Sequence, residues 1–299
     1  MARHSGLLAL VFCGVLLVAP AASSAAQQGA SCKPDQIEAT GEIDFGQGLT
    51  KEQAEQKAYE EALRNAVRKA CPAEVSSLAS VLNNEMIVDL VKWARRGVPV
   101  ETQVIERRTI SEPVTREGVA TSVERYRVTI RTRFAALAGE EDPGFEVRIV
   151  GMKPSYVEGD LMTVGVQAAA DCYVHLFTVA ADRSVTVFLP NKYRRENFLR
   201  KGETLEFPSA DEERRGIRFR MGFLPGVQSP RITEWITAIA TRRNVDLVSG
   251  TGIQEALQKV HSAKDTALIE ELLKKVVQLR SSDVTQAVFG YEVFRKDRR

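Results

Sequence analysis

Apolar and polar residues alternate from Ile37 to Phe45 (Ile37-Glu38-Ala39-Thr40-Gly41-Glu42-Ile43-Asp44-Phe45), the period-two pattern of a strand with one buried face. Thr50 then opens a helix, and Gln53 three residues later completes a capping box. Ala54, Ala58, Ala62, Ala66 and Ala70 recur every four residues, flanked by Tyr59, Leu63 and Val67. Such a stripe lets a helix backbone lie close to a sheet; Pro72 ends it. A second helix is predicted over Leu82 to Ala94, with Met86, Leu90 and Trp93 inward and Gly97 as its stop. Two longer strands follow, near Val100 to Ile110 and Val119 to Phe134. In the second, Tyr126, Val128, Ile130, Thr132 and Phe134 point one way and Arg125, Arg127, Arg131 and Arg133 the other. The arginine row reads either as a surface for an anionic ligand or as cross-strand pairing with Glu38, Glu42, Asp44 and Glu106. The second reading is preferred.

Past a polar segment bounded by Gly and Pro (Gly139-Glu140-Glu141-Asp142-Pro143-Gly144), the pattern changes to short strands in quick succession. They are predicted over Phe145 to Val150, Leu161 to Ala168, Cys172 to Val179 and Val185 to Leu189. Both faces of Cys172-Tyr173-Val174-His175-Leu176-Phe177 are largely apolar, so this strand is expected at the centre of a sheet covered twice. Thr233 to Arg242 reads as an amphipathic helix with Trp235, Ile236 and Ile239 inward, and a further helix runs from about Ala263 to Leu279. Val284 to Phe294 closes the chain as a strand before an exposed basic tail. The expected fold class is therefore α+β. A small N-terminal unit over 33–138, an antiparallel sheet with two helices, is joined by a linker at 139–144 to a β-sandwich-like domain with C-terminal helices over 145–299.

The first 26 residues carry one positive residue, Arg3, then an apolar run from Leu7 to Val18 and the small residues Ala21 to Ala26. That order is expected of a cleavable secretory signal, cut near Ala26, and places the mature protein in the periplasm or outside the cell. The run is shorter than the roughly 20 residues a spanning helix needs, and no transmembrane segment is expected after cleavage. The whole chain has 41 Lys and Arg against 39 Asp and Glu, a net charge of +2. A balance so near zero argues against a nucleic-acid partner. Export makes disulfides possible: Cys32 and Cys71 flank the first strand and helix, and a bridge between them would close a loop of about 40 residues, worth about 4 kcal/mol. The alternative is three free thiols, Cys172 among them. No CxxC pair is present and histidines are few, so neither a metal site nor a cofactor is expected.

Several pieces of the second unit carry a resemblance. They are Tyr156-Val157-Glu158-Gly159-Asp160, Cys172 to Phe177, Val185-Thr186-Val187-Phe188-Leu189-Pro190-Asn191, Lys201-Gly202-Glu203 and Phe207-Pro208. In this order, over about 145 to 245, they resemble the bacterial family called domain of unknown function 4384. That family usually has Gly in the turn where Arg183 stands here. The resemblance implies a β-rich accessory module and no catalytic residues. The first unit is similar to the N-terminal domain of flagellar assembly protein T, through Ala39-Thr40-Gly41, the Ala58 to Val67 stretch and the arginine-rich strand. That likeness implies a small unit used in periplasmic assembly.

Signals for catalysis are sparse. Gly250-Thr251-Gly252 lacks the third glycine of a dinucleotide fingerprint, and no GxSxG elbow occurs. Cys172 and His175 are three apart on a strand, hence on opposite faces. His175 reads as a core histidine and His261 as an exposed one. The strongest binding candidate is the loop Asn191 to Phe198, where Asn191, Tyr193, Arg194 and Arg195 combine types that make good contact surfaces; the plainer reading has Pro190-Asn191 only setting a turn. The expected function is a non-enzymatic binding or assembly module of the cell envelope, partnered by another envelope protein. A small-ligand or glycan sensor is the alternative, and a hydrolase with a site assembled from distant segments is a third reading.

Overall fold

The structure, a computed structural model, describes residues 32–33, 35–45, 48–71, 89–116, 119–180, 185–223, 226–248 and 266–296. The leader, Leu82 to Val88 of the second predicted helix, the Arg183 turn, Gly250 to Gly252 and His261 lie outside them. The fold is α+β and rich in strands.

Strand β1 (Gln36–Phe45) pairs antiparallel with β3 (Val119–Ala135), which pairs on its other side with β2 (Val98–Arg116). Helix α1 (Lys51–Ala70) starts at Thr50, whose hydroxyl accepts from the Gln53 backbone N–H at 3.2 Å while Gln53 returns its side-chain oxygen at 3.0 Å. Its five stripe alanines are buried against the sheet. The approach is close enough that a Cβ on Gly41 would lie 2.1 Å from the Ala58 carbonyl oxygen. Asn65 Nδ2 and Lys69 Nζ donate to the carbonyls of Thr40 (2.8 Å) and Glu38 (2.9 Å), tying the helix to β1. A disulfide joins Cys32 to Cys71, fastening the chain ahead of β1 to the end of α1.

On the opposite face each arginine of β3 has a carboxylate. Arg125 meets Asp44 at 2.9 Å and Glu112 at 3.1 Å, Arg127 meets Glu42, Arg131 meets Glu38, and Arg133 meets Glu101 at 2.7 Å. Glu106 pairs instead with Arg108. The row is cross-strand pairing, and its charge is answered within the sheet.

Helix α2 (Leu90–Arg96) is capped by Asp89 and stopped by Gly97, which sits at φ +112° where an L side chain is strained. Beyond β3 come β4 (Val147–Val150), β5 (Ser155–Val157), β6 (Leu161–Met162), β7 (Val164–Ala168), β8 (Cys172–Val179), β9 (Val185–Leu189), β10 (Phe198–Leu199) and β11 (Thr204–Phe207). Helix α3 (Ala210–Arg214), β12 (Phe219–Arg220), β13 (Arg231–Thr241), α4 (Thr266–Val276) and β14 (Val284–Phe294) follow. The main sheet has the order β10-β8-β13-β14-β5, with β9 also pairing β8; a second sheet has the order β11-β7-β4, and β6 pairs β12.

One expectation is corrected: Thr233 to Arg242 does not form a helix, because Arg231–Thr241 is strand β13, hydrogen-bonded to β8 on one side and β14 on the other. From Ile236 to Thr241 the strand is covered on both faces, so this half lacks the period-two signature, and Trp235, Ile236 and Ile239 imitate a helical stripe. Its run of Ile and Thr residues is the strand signal that decides the matter.

Val174, Leu176, Ile236, Ala238 and Val293 of the main sheet share one apolar cluster with Val164, Val166, Leu205 and Phe207 of the second sheet. The other face of the main sheet is covered jointly by the N-terminal unit and by α4. Phe177, Ile239 and Val284 pack with Leu90, Val91, Trp93 and Ala94 of α2, with Val98, Val100 and Leu137, and with Leu272, Leu273 and Val276 of α4. Polar contacts follow the same seam: Val91 N–H donates to Gln286 Oε1 at 2.7 Å, and Arg95 to the Val284 carbonyl at 3.3 Å. Segment 139–144 is pinned too, by Arg95–Glu141 at 3.0 Å and by Asp142–Arg242, whose guanidinium lies 4.4 Å above the Phe145 ring.

Gly41→Ala drives a methyl group into the α1 backbone and is expected to cost about 3 kcal/mol. Gly222→Ala, with nothing within 4 Å of the added Cβ, stays within about 0.5 kcal/mol of the parent. Urea unfolding of the two variants checks the difference.

Candidate functional site

Where β9 ends beside the middle of β8 and the chain turns through 190–198, the main sheet opens into a cavity of about 440 Å³. Its walls come from His175 on β8, from Pro190, Asn191, Arg195 and Asn197 of the loop, and from Asn244, Val245, Asp246 and Val248 beyond β13.

The loop is held by its own polar side chains. Asn191 is 3% exposed: its Oδ1 accepts from the N–H groups of Tyr193 (2.8 Å) and Arg194 (2.9 Å), while Nδ2 donates to the Phe188 carbonyl at 2.6 Å. An asparagine turned onto the backbone two and three residues ahead builds such a turn without glycine. Arg194 reaches the other way, donating to the Glu206 carbonyl at 2.7 Å and to Glu212 Oε2 at 3.3 Å. Glu212, itself buried, also accepts from Ser209 N–H at 2.8 Å in the capping box of α3. At the far end Asn197 clamps the loop to β8, its Nδ2 on the Val174 carbonyl at 3.1 Å and its carbonyl accepting Val174 N–H at 2.8 Å.

Of the loop residues singled out from sequence, then, Asn191 and Arg194 shape the site, and Tyr193 and Arg195 present their side chains to solvent. Tyr193 is 54% exposed, with Lys192 Nζ 4.9 Å from its ring centroid. Arg195 is exposed at the rim, with no carboxylate paired to it among the described residues. The opposite wall was not anticipated. It is formed by 244–248, where Val248 N–H donates to Asp246 Oδ1 at 3.0 Å and Lys275 Nζ to the Asp246 carbonyl at 2.9 Å. Its sequence signal was hidden by the helix expected over the preceding residues.

His175 forms the floor and is 1% exposed. Its Nε2 lies 2.9 Å from the Val245 carbonyl, so that nitrogen carries the proton, and the bare Nδ1 has no donor among the described residues. Burial pushes its pKa down to about 4, against the opposing pull of the Val245 carbonyl and the Asp246 charge. Cys172 belongs to the cluster on the other face of the sheet, and burial pushes its thiol up to about 11. The two therefore stay apart, as their spacing on a strand requires. A smaller cavity of about 220 Å³ lies between α1 and its sheet, where the Glu55 carboxylate is taken up by Arg107 at 2.5 Å and by the Tyr126 hydroxyl at 3.1 Å. Among the described residues no three His, Cys, Asp or Glu side chains converge in a metal-binding group.

The buried histidine gives the fold a pH dependence. An unfolded chain takes a proton on His175 below about 6.5, whereas the folded chain refuses it until about 4. Stability is therefore full above pH 6.5 and declines as pH falls, by about 3 kcal/mol at pH 4. Urea unfolding from pH 7 to 4 should show that decline in the parent and lose it in His175→Gln; equal slopes would contradict the assignment.

Residues 155–244 match the family model described as Domain of unknown function (DUF4384). No curated protein matches the chain significantly. The matched segment runs from the start of β5 to Asn244 and takes in the whole 190–198 loop, so both the loop and the edge of the facing wall belong to the family's segment.

Proposed function

We propose that this chain is a non-enzymatic binding module of an exported protein, working in the cell envelope and recognising its ligand through the cavity beneath the 190–198 loop. One observation carries the reading: the walls are preformed by buried, hydrogen-bonded side chains, while the Arg195 guanidinium stands at the rim with no carboxylate paired to it among the described residues. A shaped cavity of this size with a few convergent polar groups is what a small-molecule site requires. The chemistry-bearing residues favour binding over turnover. A histidine with pKa about 4 is a weak base at neutral pH, and a thiol at about 11 is a poor nucleophile.

The wider picture supports the same reading. The leader pattern of the first 26 residues supports a periplasmic or secreted chain, and no described helix is long and apolar enough to cross a membrane. The N-terminal unit, with its likeness to the flagellar assembly protein T N-terminal domain, suits attachment to another envelope protein. The two packed sheets of the second unit suit a sandwich-like receptor for the ligand.

Ligand-observed NMR with a fragment library tests the site, using the parent chain and Asn244→Trp, which places an indole in the cavity mouth. Hits should bind the parent, raising its stability by about 2.7 kcal/mol at roughly 100 times Kd, and should be lost from the variant. Hits that bind both proteins equally would contradict the site.

A further inference from the structure

Beside the cavity, on the same face of the main sheet, lies an aromatic pair of which Tyr173 is half-buried and Phe198 exposed. Tyr173 sits two residues before His175 on β8, hence on the same face and about 7 Å along the strand. Phe198 of β10 is paired with it in register; the ring centroids are 5.1 Å apart and tilted by 55°, and Phe198 is 37% exposed. Aromatic surface of this kind, at a sheet edge and open to solvent, is costly unless something apolar covers it. The adjoining cavity is polar. Asn191, Asn197 and Asn244 line it, and Arg195 at its rim has no carboxylate paired to it among the described residues. An anionic group of a ligand therefore has a cation to meet there.

We infer that the ligand is an acidic saccharide, with a sugar ring laid on Tyr173 and Phe198 and its carboxylate held by Arg195. The inference rests on the reading of the cavity as a binding site. A sugar ring has one face of C–H groups, weakly positive at hydrogen, which match the negative face of an aromatic ring. Its hydroxyls both donate and accept, which suits a cavity lined by asparagines, whose amides do the same. A planar guanidinium takes a carboxylate through two parallel hydrogen bonds, which gives direction as well as charge. The alternatives fit less well. A peptide added as a strand needs several residues of open edge, and β10 is two residues long. A nucleic acid needs a tract of cations tracking its phosphates, whereas the arginines of β3 are already paired with carboxylates.

The test is isothermal titration of the mature chain with trigalacturonate, a glucuronate-containing hyaluronan tetrasaccharide and mannuronate trimer, each beside an uncharged oligosaccharide of matching length. At least one acid should bind ten-fold or more tightly than its uncharged counterpart, and the preference should shrink with added salt. Arg195→Ala should abolish the preference for acid while leaving the fold intact, since its side chain is at the surface. Phe198→Ala should weaken acidic and uncharged ligands alike. Equal binding of acids and uncharged sugars, or an acid preference that survives Arg195→Ala, overturns the inference. Failure of all three acids to bind also overturns it: if fragments still bind the parent and not Asn244→Trp, the cavity remains a binding site for another class, and if fragments fail as well, the site itself is wrong.

Discussion

Leu90, Val91 and Trp93 of α2 and Leu272, Leu273 and Val276 of α4 lie on Phe177, Ile239 and Val284, and the rest of the molecule depends on that apolar seam. Burying a large apolar side chain is worth about 1.5–3 kcal/mol, so a handful of them rivals the roughly 5–15 kcal/mol by which a whole domain is stable. The seam is what makes the main sheet two-sided. One face packs on the second sheet, and the other would lose part of its cover if α2 were removed. Segment 139–144, with the composition of a flexible connector, is drawn into the same arrangement by Glu141 and Asp142. The N-terminal unit thus completes the fold of the second unit as well as sitting beside it.

Within the N-terminal unit two forces act on opposite faces of one sheet. On the inner face, alanines and Gly41 let the backbones of α1 and β1 come together, which maximises contact for small side chains. On the outer face, arginines alternate with carboxylates from β1 and β2. The individual exposed pairs contribute little stability. Their larger consequence is register, since a one-residue slip of β1 would turn Glu38, Glu42 and Asp44 toward the helix.

Elements with one wet face declared themselves in the sequence. The alternation of Ile37 to Phe45, the Thr50–Gln53 capping box and the split of β3 into an apolar and an arginine face all have direct structural counterparts. Strand β13 did not, because burial on both faces from Ile236 to Thr241 erases the alternation there and leaves a stripe that mimics a helix. The candidate site was half legible for a related reason. Turn-building Asn191 and exposed Tyr193 and Arg195 stand out by residue type. By contrast, 244–248 meets the loop only because β13 runs antiparallel to β8, a fact of pairing that no local pattern encodes. Nor does residue type reveal that Arg194 points at Glu212 while its neighbour Arg195 points to solvent.

The cavity inherits its rigidity from the seam. His175 lies on the same sheet face as Phe177 and Ile239, so the floor of the site is continuous with the core that the N-terminal unit helps to build. Unfolding of the two units should therefore be one event. The direct measurement follows a Trp93→Phe chain, whose remaining tryptophan is Trp235 at the centre of the main sheet, through urea unfolding. Trp235 fluorescence reports the second unit, and far-ultraviolet circular dichroism reports the 20-residue α1 of the first. Coincident midpoints with a single transition are predicted. Loss of the helix signal at a lower urea concentration than the fluorescence change would contradict the shared core.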